Sequence, residues 1–451
     1  MCRIIRVSHL FKLHNREEFI MRKSGSKFLP GYTDLEKSWV VYDVGNSAFT
    51  LMVSTLIPIW FNALAEKAGM SSVDYLANWS FATSIATIIM AFWGPVLGSL
   101  ADHKGYKKPF FTAALLIGVI GCAFLGLVGI LPFPVAAGWM IYLVVYIVSK
   151  VSYQSSLVLY DSMLVDVTEP DRMDLVSSNG FAWGYIGSCI PFIIALVLYL
   201  LGTKGVIPLS AAIAIDFILV ALWWFGITTP LLRLYHQKHY IETKGSIFAE
   251  SFSRLGKTLG DLVRHDRKVL FFLLAFFLYI DGVYTIIDEA VAIGTALGLD
   301  QIGLLVVLLL TQVVAFAFAT LFGKLSEKYS TVTLISVAII GYFAVAIYAL
   351  FMHTLWQFGI MAFVVGMFQG AIQALSRSYY AKIIPPDTSG EYFGLYDICG
   401  KGAAFVGTML IGLTTKLSGS INIGVGTLAF LFAGGLILLR IADRMEGTPR
   451  S

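Results

Sequence analysis

Runs of about twenty predominantly apolar residues recur twelve times along this chain, and they limit its fold more tightly than any other feature. A hydrocarbon core about 30 Å thick is crossed by roughly 20 residues of helix, and inside it every backbone N–H and C=O must find its partner within the protein. The runs lie near residues 38–62, 77–101, 110–131, 136–160, 177–202, 206–229, 269–293, 301–322, 331–352, 355–381, 393–416 and 421–441. They predict an all-α polytopic membrane protein with twelve transmembrane helices. The composition agrees: 57% of the 451 residues are apolar and 13% charged, and the mean hydropathy is +0.79, whereas a soluble domain carries about 25% charged residues.

Lys and Arg that flank a span stay on the cytoplasmic side. Of the 32 Lys and Arg, only Lys67, Lys204 and Lys416 fall in the odd-numbered loops, while Lys150 and Lys401 lie inside spans. Both termini are therefore expected in the cytoplasm, in a multi-pass protein of the plasma membrane. The basic pI of 8.7 follows from the same bias, so it reflects a solvated face and not a nucleic-acid partner. Residues 1–37 read as a disordered basic segment, with Met21 ahead of Arg22 and Lys23 as an alternative start. Six spans occupy 38–229 and six occupy 269–441. Between them, 230–268 reads as a cytoplasmic linker with an amphipathic helix around 247–262, in the simplest case a tether, and 442–451 reads as a tail.

Several functions are excluded. Cys2, Cys122, Cys189 and Cys399 lack metal-site spacing, there is no Walker loop for an ATP-driven pump, and the spans hold no nucleophile beside a base. We expect no enzyme, metal or cofactor, and a monomer driven by a gradient.

The loop after the second run reads GSLADHKGYKK from Gly98 to Lys108, and GKLSEKYS from Gly323 to Ser330 repeats it in weaker form. Gln154, Tyr160, Gly180 and Gly187 likewise find partners at Gln373, Tyr379, Gly400 and Gly407, at offsets of 219 or 220. A Gly-x-Leu-x-acid loop followed by Lys-Lys at this place resembles the signature loop of the major facilitator superfamily of secondary transporters. The resemblance implies two parallel six-helix halves with substrate bound between them near the midplane.

Physical logic assigns parts to a cytoplasmic gate. Asp102 can cap a neighbouring helix amino terminus and pair with a base. Gly98 permits close backbone approach, and Gly105 a tight turn. Lys107 and Lys108, like Lys104, serve either the gate or topology alone. Gly323 and Glu327 are the counterparts in the second half, and the weaker copy predicts a stronger latch at Asp102. Arg377 and nearby Glu391 are expected in a second-half gate.

Ionisable groups inside spans cost roughly 2.5–3.5 kcal/mol on insertion scales, so those that persist face partners or water. Tyr42, Asp43, Asn46 and Ser47 form a polar stripe, with Asp43 open to either a gate role or substrate and proton binding. Asp281, Thr285 and Asp288 share a face with Glu289 beside them. Asp281 is expected in the inner half and Asp288 nearer the middle. Asp288 and Glu289 are coupling candidates, or salt-bridge partners of Lys150 or Lys401. Asp397 and Lys401 form an i,i+4 pair. Lys150 needs a carboxylate from another helix or an anionic part of the substrate. Gln154, Gln369 and Gln373 add amide contacts to substrate or between helices. Asp216 has no evident partner.

The run from Trp39 to Phe49, the Asp281 to Thr285 turn, and the stretch from Gln373 to Gly407 resemble the vacuole-effluxer-like branch of that superfamily. The resemblance covers nearly all of the chain beyond residue 35 and implies transport of a small polar solute, with amino-acid efflux as the branch's named activity. Carboxylates within the spans favour protons over sodium as the coupling ion. The 33 Phe, 21 Tyr and nine Trp also fit an exporter of amphipathic compounds, and a sensor that kept the fold is a third reading.

Overall fold

A computed structural model describes residues 28–243 and 245–445. Among these, helix dominates and no extended strand occurs; an isolated bridge joins His103 and Ile241. The first half comprises α1 (Asp34–Ser54), α2 (Leu56–Lys67), α3 (Ser72–Ala101), α4 (Lys107–Leu127), α5 (Val135–Ser162), the short α6 (Leu164–Val167), α7 (Met173–Thr203) and α8 (Leu209–Leu234). The linker carries α9 (Ile247–Arg264). The second half comprises α10 (Arg267–Ala296), α11 (Gln301–Leu325), α12 (Thr331–Ala349), α13 (Leu355–Ile383), α14 (Ser389–Ser418), α15 (Ile421–Gly426) and α16 (Ala429–Arg444). The pairs α1–α2 and α15–α16 are each one span broken by a local turn, which gives twelve spans.

The helices start where side chains can satisfy their free N–H groups. Thr33 and Glu36 form a capping box ahead of α1, Thr354 and Gln357 another ahead of α13, and Ser71, Asp300 and Ser330 cap α3, α11 and α12. On the face that carries the charged loops, hereafter the basic face, most helices run past their apolar cores by up to five residues. α1 begins at Asp34, α7 at Met173 and α14 at Ser389, and α8 ends at Leu234. These polar extensions are what tie the two halves together.

Large apolar side chains such as Ile88, Phe92, Ile193 and Leu222 are exposed around the bundle, as in a protein solvated by lipid. The halves meet where α3 packs on α14 and where α7 packs on α11 and α13. Contacts repeat between them: the Tyr42 hydroxyl lies 2.9 Å from Ser156 Oγ, and the Tyr279 hydroxyl 2.6 Å from Ser376 Oγ. This register aligns Tyr160 with Tyr380, one residue beyond the Tyr379 expected from sequence.

Disorder was expected through residue 37, yet from Phe28 onward the segment is built in. Glu36 is buried and accepts from Thr168 at 2.6 Å and from Arg172 Nε at 2.9 Å. Residues 1–27, with Met21 and Cys2, lie outside the described residues. The linker makes more contacts than a tether needs. After α8 the chain folds back so that Ile241 N–H donates to the Asp102 carbonyl (2.9 Å) and Lys104 N–H to the Ile241 carbonyl (3.2 Å).

Candidate functional site

Two polar layers and one central band occupy the space between the halves. The outermost layer lies on the basic face, where α3 and α14 cross. Gly94 and Gly98 on α3 meet Gly390 and Gly394 on α14 so closely that a Cβ at Gly98 would collide with the Gly390 carbonyl, and one at Gly394 would lie 2.5 Å from Pro95. Small residues four apart on both helices allow such an approach.

The approach delivers Asp102, at the end of α3, onto the amino terminus of α14. Its Oδ1 accepts the Gly390 N–H at 2.8 Å and its Oδ2 the Glu391 N–H at 2.9 Å, two donors that the helix itself cannot use. Lys107, fully buried, stands 3.8 Å from Asp102 and 3.7 Å from Asp166, and donates to Ser389 at 2.9 Å. Burial pushes the Asp102 carboxyl up to about 7, against the pull of Lys107, the two backbone N–H groups and Arg254. Asp166 is equally buried. There Lys107, the His239 side chain and N–H, and the Tyr235 hydroxyl outweigh burial and hold the carboxyl below its usual range.

Sequence reasoning missed Arg254, on the linker helix. Its Nε donates to Glu391 at 2.7 Å, its Nη2 to the Ser99 carbonyl at 2.8 Å, and it stands 3.9 Å from Asp102. Glu391 is therefore occupied by the linker and not by Arg377. Gly105 turns with φ +81° and donates to Gln237 at 3.0 Å, and Lys108 donates to the Tyr235 carbonyl at 3.2 Å.

The echo of this loop behaves differently. Gly323 does lie close against α7, where a Cβ would come 2.8 Å from that of Ser178. Glu327, however, is exposed. The carboxylate that links the halves here is Asp174, which the sequence did not single out. It accepts from Ser378 and Thr331, each at 2.6 Å, and from Lys382 at 2.7 Å.

A deeper layer centres on Arg377 of α13, which enters the first half. Its Nη1 donates to Asp161 at 2.9 Å, its Nε to Ser177 at 2.9 Å, and its Nη2 lies 3.4 Å from Asp43. The guanidinium sits over Trp39, Tyr160 and Phe181 at 4.4–5.4 Å from the ring centres. Arg377 was expected in a gate within the second half. It bridges the halves instead, because α13 and α7 cross where Ser177 also donates to the Ala374 carbonyl at 2.8 Å. Asp43 further accepts from Tyr160 at 2.9 Å and Asn46 at 3.1 Å, and Gly180 leaves room for its carboxylate.

In the central band Lys150, Tyr185, Tyr284, Gln373 and Asp397 are half-buried and Asp288 is exposed, so this region is open to solute. Lys150 and Glu289 lie near Asp288, and Asp161, Asp288 and Asp397 lie near the Tyr284 hydroxyl. Gln373 donates to Tyr185 at 3.2 Å. Gln369 and Gln154 are buried, the latter with its carbonyl oxygen unpartnered among the described residues. The structure separates Asp281 from Asp288. Since α10 starts at Arg267, Asp281 stands at mid-helix, deeply buried, accepting the Gly407 N–H at 2.9 Å and Thr285 at 3.3 Å. Asp288 lies two turns farther along α10 from the basic face. The Lys401 side chain lies outside the described residues. Asp216 is buried with both oxygens unpartnered among the described residues. No cluster of metal-ligating residues occurs there either.

Residues 34–171 and 165–450 match the family described as vacuole effluxer Atg22 like. The chain belongs to that family. This Atg22-like protein is 41% identical over 423 residues to the MFS-type transporter YxiO of Bacillus subtilis, covering 93% of this chain and 97% of that one. It is 28% identical over 288 residues to the autophagy-related protein 22-1 of Aspergillus niger, covering 58% of this chain and 45% of that one. It thus spans about half the length of such fungal relatives. Its fold is similar to that of the E. coli fucose:proton symporter FucP, with a TM-score of 0.67 at 14% identity over 91% of this chain and 98% of that one. The Atg22-like chain is therefore a multi-pass transporter of the major facilitator type and not an enzyme.

Proposed function

We propose that this Atg22-like transporter moves a small zwitterionic solute of the amino-acid class by alternating access, coupled to protons. The observation that carries this reading is the central band. Lys150 from the first half and Asp288 from the second lie near each other, in a band that also holds the amide and phenol groups of Gln373, Tyr185 and Tyr284. A solute carrying one ammonium and one carboxylate can exchange for that mutual interaction without leaving either charge uncompensated. A singly charged solute would strand one of them, and an uncharged solute could replace neither.

In this reading the basic face is the cytoplasmic face of the plasma membrane, as the distribution of Lys and Arg favours, and the protein works as a monomer. The Asp102 and Arg377 layers form the gate that is closed here. Coupling to protons is supported by the carboxyl groups of Asp281 and Asp288 within a membrane-spanning helix, since ionisable groups kept inside spans commonly serve proton relays. The family description as an effluxer supports outward movement.

The experiment is counterflow in proteoliposomes with radiolabelled amino acids. Lys150→Gln and Asp288→Asn should each abolish exchange of zwitterions while leaving the protein folded, and an uncoupler should collapse concentrative movement. Exchange of sugars or lipophilic cations with amino acids excluded would sink the substrate assignment. Transport indifferent to an uncoupler would sink the coupling.

A further inference from the structure

The linker helix has three faces, and the function above uses only one. Arg254 with buried Ser251, Thr258 and Leu262 faces the protein, where His103 Nε2 lies 3.2 Å from Ser251 Oγ and Arg254 enters the carboxylate layer. Lys257, Asp261 and Arg264 are exposed on a second, charged face. On the third, Phe248, Phe252, Leu259 and Val263 recur at helical spacing and are 63, 58, 48 and 62% exposed. Four large apolar side chains in a row would not face water on a helix otherwise this polar.

Beside this third face lies a groove of about 690 Å³. Phe252, Leu255 and Leu259 form one wall, Phe92 and Trp93 of α3 the second, and Ile398 of α14 closes it. The groove is lined by Ile89, Phe92 and Trp93, exposed residues of a membrane-spanning helix, so its mouth is continuous with the lipid-facing surface. We propose that α9 lies in the membrane surface with this apolar face among the lipid tails, and that a phospholipid acyl chain fills the groove between α9, α3 and α14. Lys257 and Arg264 stand on the opposite, aqueous side of the same helix, as in an interfacial amphipathic helix. The lipid-seated helix thereby holds Arg254 against Glu391 and Ser99. This goes beyond the transport reading and does not depend on the solute.

The test places a photo-crosslinking benzoylphenylalanine at position 252 of the full chain in nanodiscs of phosphatidylethanolamine and phosphatidylglycerol. After irradiation the intact mass should rise by that of one phospholipid, and the same group at position 257 should give no such adduct. A crosslink only to α3 or α14, a crosslink to a second copy, or equal lipid labelling at 257 would overturn the proposal. Spin labels at 248, 252, 259 and 263 give an independent readout. They should be accessible to oxygen and shielded from a water-soluble nickel complex, with the order reversed at 257, and uniform access to nickel would equally defeat it.

Discussion

Replacing Arg377 by Gln would take the shared guanidinium from Asp43 and Asp161 in an interface from which solvent is largely excluded. Breaking a buried ion pair by removing one partner costs about 3–5 kcal/mol. Arg377→Gln is therefore expected to lower the thermal midpoint of the detergent-purified protein and to abolish transport. Arg377→Lys keeps the charge but cannot reach Asp161 and Asp43 together while lying flat over Trp39, Tyr160 and Phe181, so it should fall between. A Lys variant with full activity would reduce the clamp to a charge requirement. Arg377, Asp43 and Asn46 of this layer were visible in the sequence, because polar groups in apolar runs stand out, whereas Asp161 and Ser177 at the ends of their spans were not singled out. Nor were the pairings visible: Arg377 and Asp43 are 334 positions apart, and nothing local connects them. Asp174 was overlooked for a related reason. At the start of a span beside a charged loop it reads as a solvated acid, and only the packing of α7 against α11 and α13 brings Ser378, Lys382 and Thr331 at the start of α12 to it.

At the scale of elements, the crossing of α3 and α14 gives a graded expectation from backbone geometry alone. Gly98→Ala and Gly390→Ala each put a methyl group into the opposite backbone and must part the helices. Gly94→Ala meets its nearest atom at 3.7 Å and should be tolerated. Gly105→Ala meets nothing within 4 Å but must hold φ +81°, a strain of about 1–2 kcal/mol. Labelling of a cysteine placed at Ser389, in a background lacking the native cysteines, should rise strongly for the first two, slightly for Gly105→Ala and not for Gly94→Ala. Equal labelling in all four would mean that this crossing does not seal the face. Arg254→Ala should also raise labelling, since Glu391 then loses its 2.7 Å partner. Unchanged labelling would make α9 dispensable to closure. Helices themselves were legible as apolar runs, and the amphipathic linker helix as a periodic one. Their ends on the basic face were not, because the residues that extend them are polar and read as loop until the opposite half satisfies them.

Across the whole molecule, two carboxylates with no partner in common join the halves on the basic face in addition to the Arg377 layer, Asp102 on the α3–α14 side and Asp174 on the α7–α13 side. If the halves rock as rigid bodies, opening must break both sites at once, so both contribute to one equilibrium. Asp102→Asn turns an amide donor toward the Gly390 or Glu391 N–H, and Asp174→Asn does the same toward Lys382. A buried donor left without an acceptor costs about 1–3 kcal/mol. Since about 1.4 kcal/mol is a factor of ten in an equilibrium, each variant alone should shift the open to closed ratio on the basic face by about ten- to a hundredfold. Free energies at sites that share no partners add, so the double variant should shift the ratio by the product of the two. The ratio can be read from distances between spin labels on the two halves, one pair near each carboxylate. Rigid rocking requires both label pairs to report the same shift in every variant. A shift confined to the pair beside the substituted carboxylate would instead describe two independent flaps, and the alternating-access reading would then need a gate other than the rotation of six-helix halves.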